Sequence, residues 1–98
     1  MKVSEVNENK LAEYARLDDP SDIELDELKR MRESAVAMIT AYTGLEEDKL
    51  DDYADITQAL FILVTDMFDN RNLMIDYKAT NMNPAVKTIL NLHSVNLL

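Results

Sequence analysis

The feature that most constrains this chain is an unbroken apolar run at residues 59–64, which reads A-L-F-I-L-V. The surrounding residues 55–71 contain no glycine or proline, so nothing in them interrupts a helix. Six consecutive apolar side chains cover every side of a helix, and a helix that is apolar all round must be buried on all sides. The run therefore predicts a central helix around which the rest of the chain packs.

The composition favours an all-α fold. Glycine occurs once, at Gly44, and proline twice, at Pro20 and Pro84, while helix-forming residues dominate the remainder. An all-β fold would need a turn signal about every 8–12 residues, and such signals are missing. A chain of 98 residues makes one domain with a thin core. We predict a small four-helix protomer over residues 1–98, with two long antiparallel helices, a short N-terminal helix and a short C-terminal helix.

Start and stop signals place the first two helices. A modest amphipathic pattern at residues 5–17 predicts the short first helix, which ends before Pro20 because proline restricts the residue preceding it. Ser21 and Glu24 have the spacing of a capping box, and Gly44 stands where a glycine closes a helix in the left-handed region. These signals predict the second helix at residues 21–43.

The second half of the chain contains the other two helices. An acidic connection at residues 45–52 is short, so the helices on either side of it are expected to be antiparallel neighbours. The central helix then runs to about residue 70. Residues 70–83 have no clear periodicity, although a short strand at 73–77 is possible. Asn83 as N-cap and Pro84 at the first helical position predict the start of the last helix. The uncharged residues 94–98 are expected to form a flexible apolar tail.

The net charge of −9 disfavours several classes of function. A sequence-independent nucleic-acid binder uses Lys and Arg to release phosphate counterions. In this chain the 19 acidic residues outnumber the 10 Lys and Arg residues. An anionic membrane surface is disfavoured for the same reason. No apolar stretch reaches the roughly 18–20 residues of a membrane span, and the acidic N-terminus does not resemble a signal peptide. We therefore expect a soluble, intracellular protein that binds no membrane.

Catalytic and metal-binding patterns are weak. The chain has no cysteine, which excludes disulfides and thiolate metal sites. The acidic residues 46–55 lack the glycine and the alternation of a calcium loop, so they are interpreted as a solvated connection and helix start. His93 is the single histidine and has no Cys or acid partner nearby in sequence, so it is interpreted as a surface or helix-end residue. We expect no enzyme activity, no cofactor and no metal.

Several short motifs follow one another in a distinctive order. Residues 11–19 read L-A-E-Y-A-R-L-D-D, and residues 39–44 end in Tyr-Thr-Gly. Residues 58–71 form the apolar helix and end in Asp-Asn-Arg, and residues 83–90 read N-P-A-V-K-T-I-L. In order, spacing and total length, these motifs resemble the small head–tail connector (adaptor) proteins of long-tailed bacteriophages, also described as DNA-packaging proteins. The family often has a Tyr-Arg pair after the last leucine, where this chain has Asn91, Leu92 and His93.

The resemblance implies a structural protein of a phage or prophage virion. Its helical protomers would assemble in the host bacterial cytoplasm into a ring of about a dozen copies at the head–tail interface. The expected partners are the portal protein on one side and a stopper or tail-completion protein on the other, and the isolated subunit can be monomeric. DNA would pass through the ring without specific binding.

A channel lined by carboxylates repels phosphate, so DNA would slide rather than adhere. The acidic connection supplies the residues expected to face such a channel: Glu46, Glu47, Asp48, Asp51 and Asp52.

The apolar residues and one arginine in the second half of the chain are the expected contacts with other subunits or partners. Those on the central helix, predicted for assembly, are Phe61, Met67, Phe68 and Arg71. Those predicted for partner contacts are Leu73, Met74, Ile75 and Tyr77 in the irregular stretch, with Val95, Leu97 and Leu98 in the tail.

Two other classes of function compete with this interpretation. An acidic helical inhibitor or DNA mimic would also suit the net charge, and it would bind a basic target with strong salt dependence. A small helical enzyme has almost no support, because the sequence holds no convergent set of polar residues.

Overall fold

The computed structural model describes residues 1–70 and 82–95 of the chain. Their regular structure is helical: α1 spans Glu8–Tyr14, α2 Asp22–Thr43, α3 Ala54–Asp69 and α4 Pro84–His93, and 3₁₀ helices span Val3–Glu5 and Glu47–Asp52. This architecture confirms the predicted all-α fold with two long antiparallel helices and a short helix at either end. The possible strand at residues 73–77 lies outside the described residues.

The limits of α2 follow the predicted local signals. Ser21 Oγ accepts a hydrogen bond from the Glu24 amide at 3.1 Å, and Glu24 Oε1 accepts one from the Ser21 amide at 3.0 Å. Gly44 has a φ of 77° and donates its amide to the Thr40 carbonyl. A capping box and a left-handed C-terminal residue thus satisfy backbone groups that the helix itself leaves unpaired.

The first helix is shorter than the predicted segment 5–17. Asn7, which follows the first 3₁₀ helix, is the N-cap of α1. Its side chain accepts a hydrogen bond from the Lys10 amide at 2.9 Å. At the other end Arg16 has a φ of 60°, and the Leu17 amide donates to the Ala12 carbonyl at 3.0 Å. This left-handed termination ends α1 at Tyr14, well before Pro20. Proline therefore does not set this boundary.

The N-terminal residues are held against α2 and the second 3₁₀ helix. Val3 and Val6 are buried. The Arg32 guanidinium donates hydrogen bonds to both of their carbonyls, that of Val3 at 3.0 Å. The Ser4 amide donates to Asp51 Oδ1 at 2.9 Å. These contacts tie residues 3–6 to α2 and to the second 3₁₀ helix.

Helix α3 supplies the centre of the core. It packs against each of the other α-helices and against both 3₁₀ helices. Within the apolar run the fully buried side chains are those of Ala59, Leu60, Leu63 and Val64. Phe61 and Ile62 are only half-buried, so the prediction that the run is enclosed on every side is wrong for one side of the helix. The neighbouring helices leave this outer strip of α3 partly in contact with solvent.

The acidic connection also contributes to the core. Residues Glu47–Asp52 form a 3₁₀ helix, which turns Leu50 inward until it is fully buried. The sequence predicted only a solvated connection at this place, because two leucines among five acids have no recognisable period.

Truncating the centre of α3 should be severely destabilising. Leu60→Ala is expected to cost about 2–5 kcal/mol of unfolding free energy, because it leaves a cavity in a fully packed core. Urea unfolding followed by circular dichroism measures this loss. Ile23→Ala is the matched control, since Ile23 is 74% exposed and its truncation should change the free energy by no more than about 0.5 kcal/mol. Equal losses for the two variants would contradict the central role of α3.

Candidate functional site

The end of α4 is joined to the start of α3 by a histidine and a carboxylate. His93 Nε2 lies 2.8 Å from each carboxylate oxygen of Asp55, and the His93 ring packs on Tyr53 with 4.2 Å between ring centroids. Asp55 is in the first turn of α3 and His93 in the last turn of α4, where the helix dipoles favour a negative and a positive group respectively. A carboxylate can only accept, so the bonded nitrogen donates.

His93 ends α4, in agreement with its interpretation as a helix-end residue, but the structure adds an acid partner that the sequence around it does not show. The partner is 38 positions away in sequence, so a search of neighbouring residues could not find it. A usable signal did exist, because Asp55 begins one predicted helix and His93 ends another. Packing those helices antiparallel brings the two residues to the same end of the bundle.

The same end of α4 is also bonded to α2. The Tyr42 hydroxyl donates to Asn91 Oδ1 at 2.7 Å, and the Val95 amide donates to the Thr43 carbonyl at 2.7 Å. Ser94 Oγ lies 3.5 Å from the Tyr42 carbonyl. At Ser94 and Val95 the expected flexible tail is therefore replaced by a docked segment.

Two large apolar side chains project from this docked end. Leu92 is 73% exposed and Val95 is 66% exposed. Their backbone is fixed by the contacts to α2 and α3, so they are presented to solvent in a defined position. Apolar groups that are held outward in this way lose little freedom when a partner covers them. Leu97 and Leu98 lie outside the described residues.

A partly exposed surface of mixed polarity lies along the outer side of α3. The rings of Tyr14 and Phe61 stack with 5.0 Å between centroids, and Gln58 Nε2 donates to the Tyr14 hydroxyl at 3.3 Å. Next to this stack is a groove of about 200 Å³, which we call the α3 groove. The residues that line it are Tyr14, Ile62, Thr65, Asp66, Asp69 and Asn83.

The predicted channel acids lie along the second 3₁₀ helix. Glu46, Glu47, Asp48 and Asp52 are exposed, whereas Asp51 is half-buried. The hydrogen bond from the Ser4 backbone, with further help from the Ser4 side chain and the charges of Lys2 and Arg32, lowers the pKa of the Asp51 carboxyl. Asp51 therefore anchors the N-terminal residues through its hydrogen bond with the Ser4 amide.

The four residues predicted for assembly on the central helix have different surroundings. Phe61 lies on the half-exposed outer strip. Met67 and Phe68 are 1% and 4% exposed, so they belong to the core of their own subunit and are corrected from contact residues to core residues. Their side chains already pack against the neighbouring helices, which leaves almost no area for a second copy. Arg71 lies outside the described residues, together with the predicted contacts Leu73, Met74, Ile75 and Tyr77.

No known protein family, curated protein or solved structure matches the chain. Within residues 1–70 and 82–95, no group of three or more His, Cys, Asp or Glu side chains is arranged to hold a metal ion. The helices of this part of the chain also lack the combined length and apolar character of a membrane span.

The contact between His93 and Asp55 should contribute measurably to stability. In a double-mutant cycle with His93→Gln and Asp55→Asn, we expect a coupling free energy of about 1 kcal/mol, because the imidazole is mostly buried and bonds both oxygens. The control is the exposed pair Arg30–Asp26 on one face of α2, for which about 0.3–0.5 kcal/mol is expected. Urea unfolding at one fixed pH gives both values, and a coupling for His93 no larger than that of the control would contradict the assignment.

The anchor at Asp51 should make stability sensitive to acid. Its pKa is lower in the folded than in the unfolded chain, so the stabilisation is present above the ordinary value of 3.8 and is lost as the pH falls through the lower folded-state value. Asp51→Asn keeps an acceptor oxygen but cannot titrate, so this variant should lose less stability than the wild type as the pH falls below 3.8. Asp52→Asn leaves the Ser4 contact intact and serves as control. Urea midpoints at several acidic pH values make the comparison, and parallel curves for D51N and wild type would contradict it.

Proposed function

We propose that this protein is a structural adaptor of a phage or prophage virion, which forms a ring between the portal vertex and the tail. The order of its sequence motifs supports this proposal, as does the confirmed all-α fold with two long helices. The ring would contain about a dozen copies and would contact the portal protein and a stopper or tail-completion protein.

The observation that carries the proposal is the docked start of the C-terminal tail. The Val95 amide is hydrogen-bonded to the end of α2, while Val95 as a residue is 66% exposed. The chain continues from this fixed point into Asn96, Leu97 and Leu98, whose side chains carry no charge. An uncharged apolar segment that leaves a subunit at a fixed point suits insertion into a site on a larger partner. The portal protein is the partner that we propose.

The polar residues support a structural rather than a catalytic role. His93, Asp55, Tyr42 and Asn91 are used to join helix ends, and Arg32 is used to hold the N-terminal residues. A catalytic histidine and carboxylate would need a nucleophile or a bound substrate beside them. Ser94, the residue next to His93, instead directs its hydroxyl toward the Tyr42 carbonyl.

The exposed acids suit a protein through which DNA moves. Four of the five predicted channel residues are exposed, and they lie together on one short 3₁₀ helix and its cap. Carboxylates on a channel wall would repel phosphate groups and prevent adhesion of DNA. We therefore propose that the second 3₁₀ helix faces the channel of the ring.

The same exposed acids favour one alternative, an acidic inhibitor or DNA mimic. Such a protein would bind a basic target through many ion pairs, and its affinity would fall steeply as salt is raised. An apolar tail insertion would be much less sensitive to salt. Binding to the portal measured at low and high salt therefore separates the two functions.

Electron microscopy of the full chain mixed with the portal protein of the same genome tests the proposal. We expect a ring docked on the portal. Deletion of residues 94–98 should weaken attachment about tenfold or more, because it removes the apolar tail that the partner would bury. Circular dichroism should show an unchanged helical fold, since Val86 and Leu90 keep α4 in the core.

Val95→Ala is a milder companion variant, because it keeps the hydrogen bond from the residue 95 amide to the Thr43 carbonyl. It should weaken attachment less than the deletion does. Attachment of the deletion variant at wild-type affinity would refute the role of the tail. The absence of any ring on the portal with the wild-type chain would refute the proposed function.

A further inference from the structure

The N-terminal residues are joined to the rest of the molecule by a loop with two left-handed backbone conformations. We call residues 1–15 the arm, residues 16–20 the hinge, and α2, the second 3₁₀ helix and α3 the body. In the hinge, Arg16 has a φ of 60° and Asp19 has a φ of 49°. Such conformations favour glycine, and neither residue is glycine, so the hinge is strained at both positions.

Pro20 adds to the strain at Asp19. Proline favours an extended backbone in the residue before it, because its ring collides with that residue in helical conformations. Asp19 has a positive φ instead. Arg16 and Asp19 are both exposed, so burial of their side chains does not offset the strain. A hinge that is stretched out between two copies of the chain would let both residues adopt negative φ angles.

The contacts that hold the arm are made with the body, so the body of another copy offers the same set. Arg32 of α2 donates to two arm carbonyls, and Asp51 accepts a hydrogen bond from the Ser4 amide. Phe61 of α3 stacks on Tyr14. Hydrogen bonds inside the arm join residues three positions apart and move with it. The buried apolar side chains of the arm are those of Val3, Val6, Leu11 and Ala12.

From the strained hinge and these contacts we propose that copies of this chain exchange arms, so that the arm of one copy docks on the body of another. Exchange keeps the contacts between arm and body and releases the strain in the hinge, which is the condition that favours domain swapping. The α-helix of the arm has only 7 residues and is too short to be stable by itself, so a released arm gains its structure by docking on a body.

Protein concentration decides between the closed and the exchanged arrangement. A short linker holds the arm near its own body at an effective concentration in the millimolar range. At a similar protein concentration the arms of other copies compete, and the strained hinge then favours exchange. The five hinge residues span about 17 Å when extended, so exchanging copies lie side by side. Exchange needs no portal protein and therefore goes beyond the proposed adaptor function.

Disulfide trapping tests the exchange, because the chain has no cysteine of its own. Ser4→Cys places a thiol on the arm, and Asp51→Cys places one beside it on the body, since the Ser4 amide lies 2.9 Å from Asp51 Oδ1. The two single variants are mixed at about 1 mM, equilibrated and oxidised with oxidised glutathione. We expect the linked heterodimer of S4C and D51C to form about ten times faster than that of S4C and I23C.

Ile23→Cys is the control because Ile23 is 74% exposed in the first turn of α2, away from the arm contact at Arg32. Tyr14→Cys mixed with Phe61→Cys gives a second pair, which leaves the Asp51 anchor intact and joins rings whose centroids are 5.0 Å apart. Selective linkage of either pair would support exchange. Rates equal to those of the I23C mixtures for both pairs would overturn it, because closed subunits meet only by random collision.

Glycine variants test whether strain in the hinge drives the exchange. Arg16→Gly and Asp19→Gly each accept a positive φ without strain, so each should favour the closed subunit and slow the linkage at least about threefold. Asp18→Gly is the matched control, because Asp18 is exposed in the same hinge but has no positive φ. Equal linkage rates for the three glycine variants would contradict the role of strain.

These mixtures contain no portal protein, so their outcome is separate from that of the proposed function. Failure of selective linkage would leave the adaptor function standing. Selective linkage, combined with no association between the wild-type chain and the portal, would support arm exchange and refute the adaptor function.

Discussion

The burial of one face of α3 is the constraint on which the rest of the structure depends. Leu60, Leu63 and Val64 are fully buried, and the α-helices and both 3₁₀ helices of the described residues pack against α3. Each large apolar side chain buried in this way contributes roughly 1.5–3 kcal/mol, which is large for a chain whose core is thin. The other helices are amphipathic and have no stable position without α3. The side of α3 that carries Phe61 and Ile62 is only half-buried, because the described helices do not cover it completely.

Polar contacts between distant residues hold the two ends of the chain on this core. Arg32 and Asp51 fix residues 3–6, and the bonds of His93 and Val95 fix the end of α4. These contacts add to the burial of Val3, Val6 and Leu90 in the same segments. Because the end of α4 is fixed, Leu92 and Val95 remain exposed in a defined position instead of folding onto the core. The surface proposed for the portal contact therefore depends on interactions that are not themselves part of that interface.

The sequence predicted best the features that depend on neighbouring residues. The capping box at Ser21, the left-handed Gly44 and the start of α4 at Pro84 all lie where local signals placed them. It predicted less well the features that depend on the third dimension. The burial of Leu50, and the contrast between buried Met67 and half-exposed Phe61, follow from which helix lies on which side. The spacing of apolar residues predicts which side chains are covered, but it does not show whether they pack against their own chain or against another copy.

The sequence by itself determined that this chain is all-α, that it is acidic, and where its long helices begin and end. These properties depend on composition and on interactions within a few residues, so they can be read along the chain. Only the tertiary structure decided that His93 meets Asp55 and that Val95, just after the end of α4, is bonded to the end of α2. Those features join residues that are tens of positions apart, and their pairing is set by the packing of all helices on α3 at once.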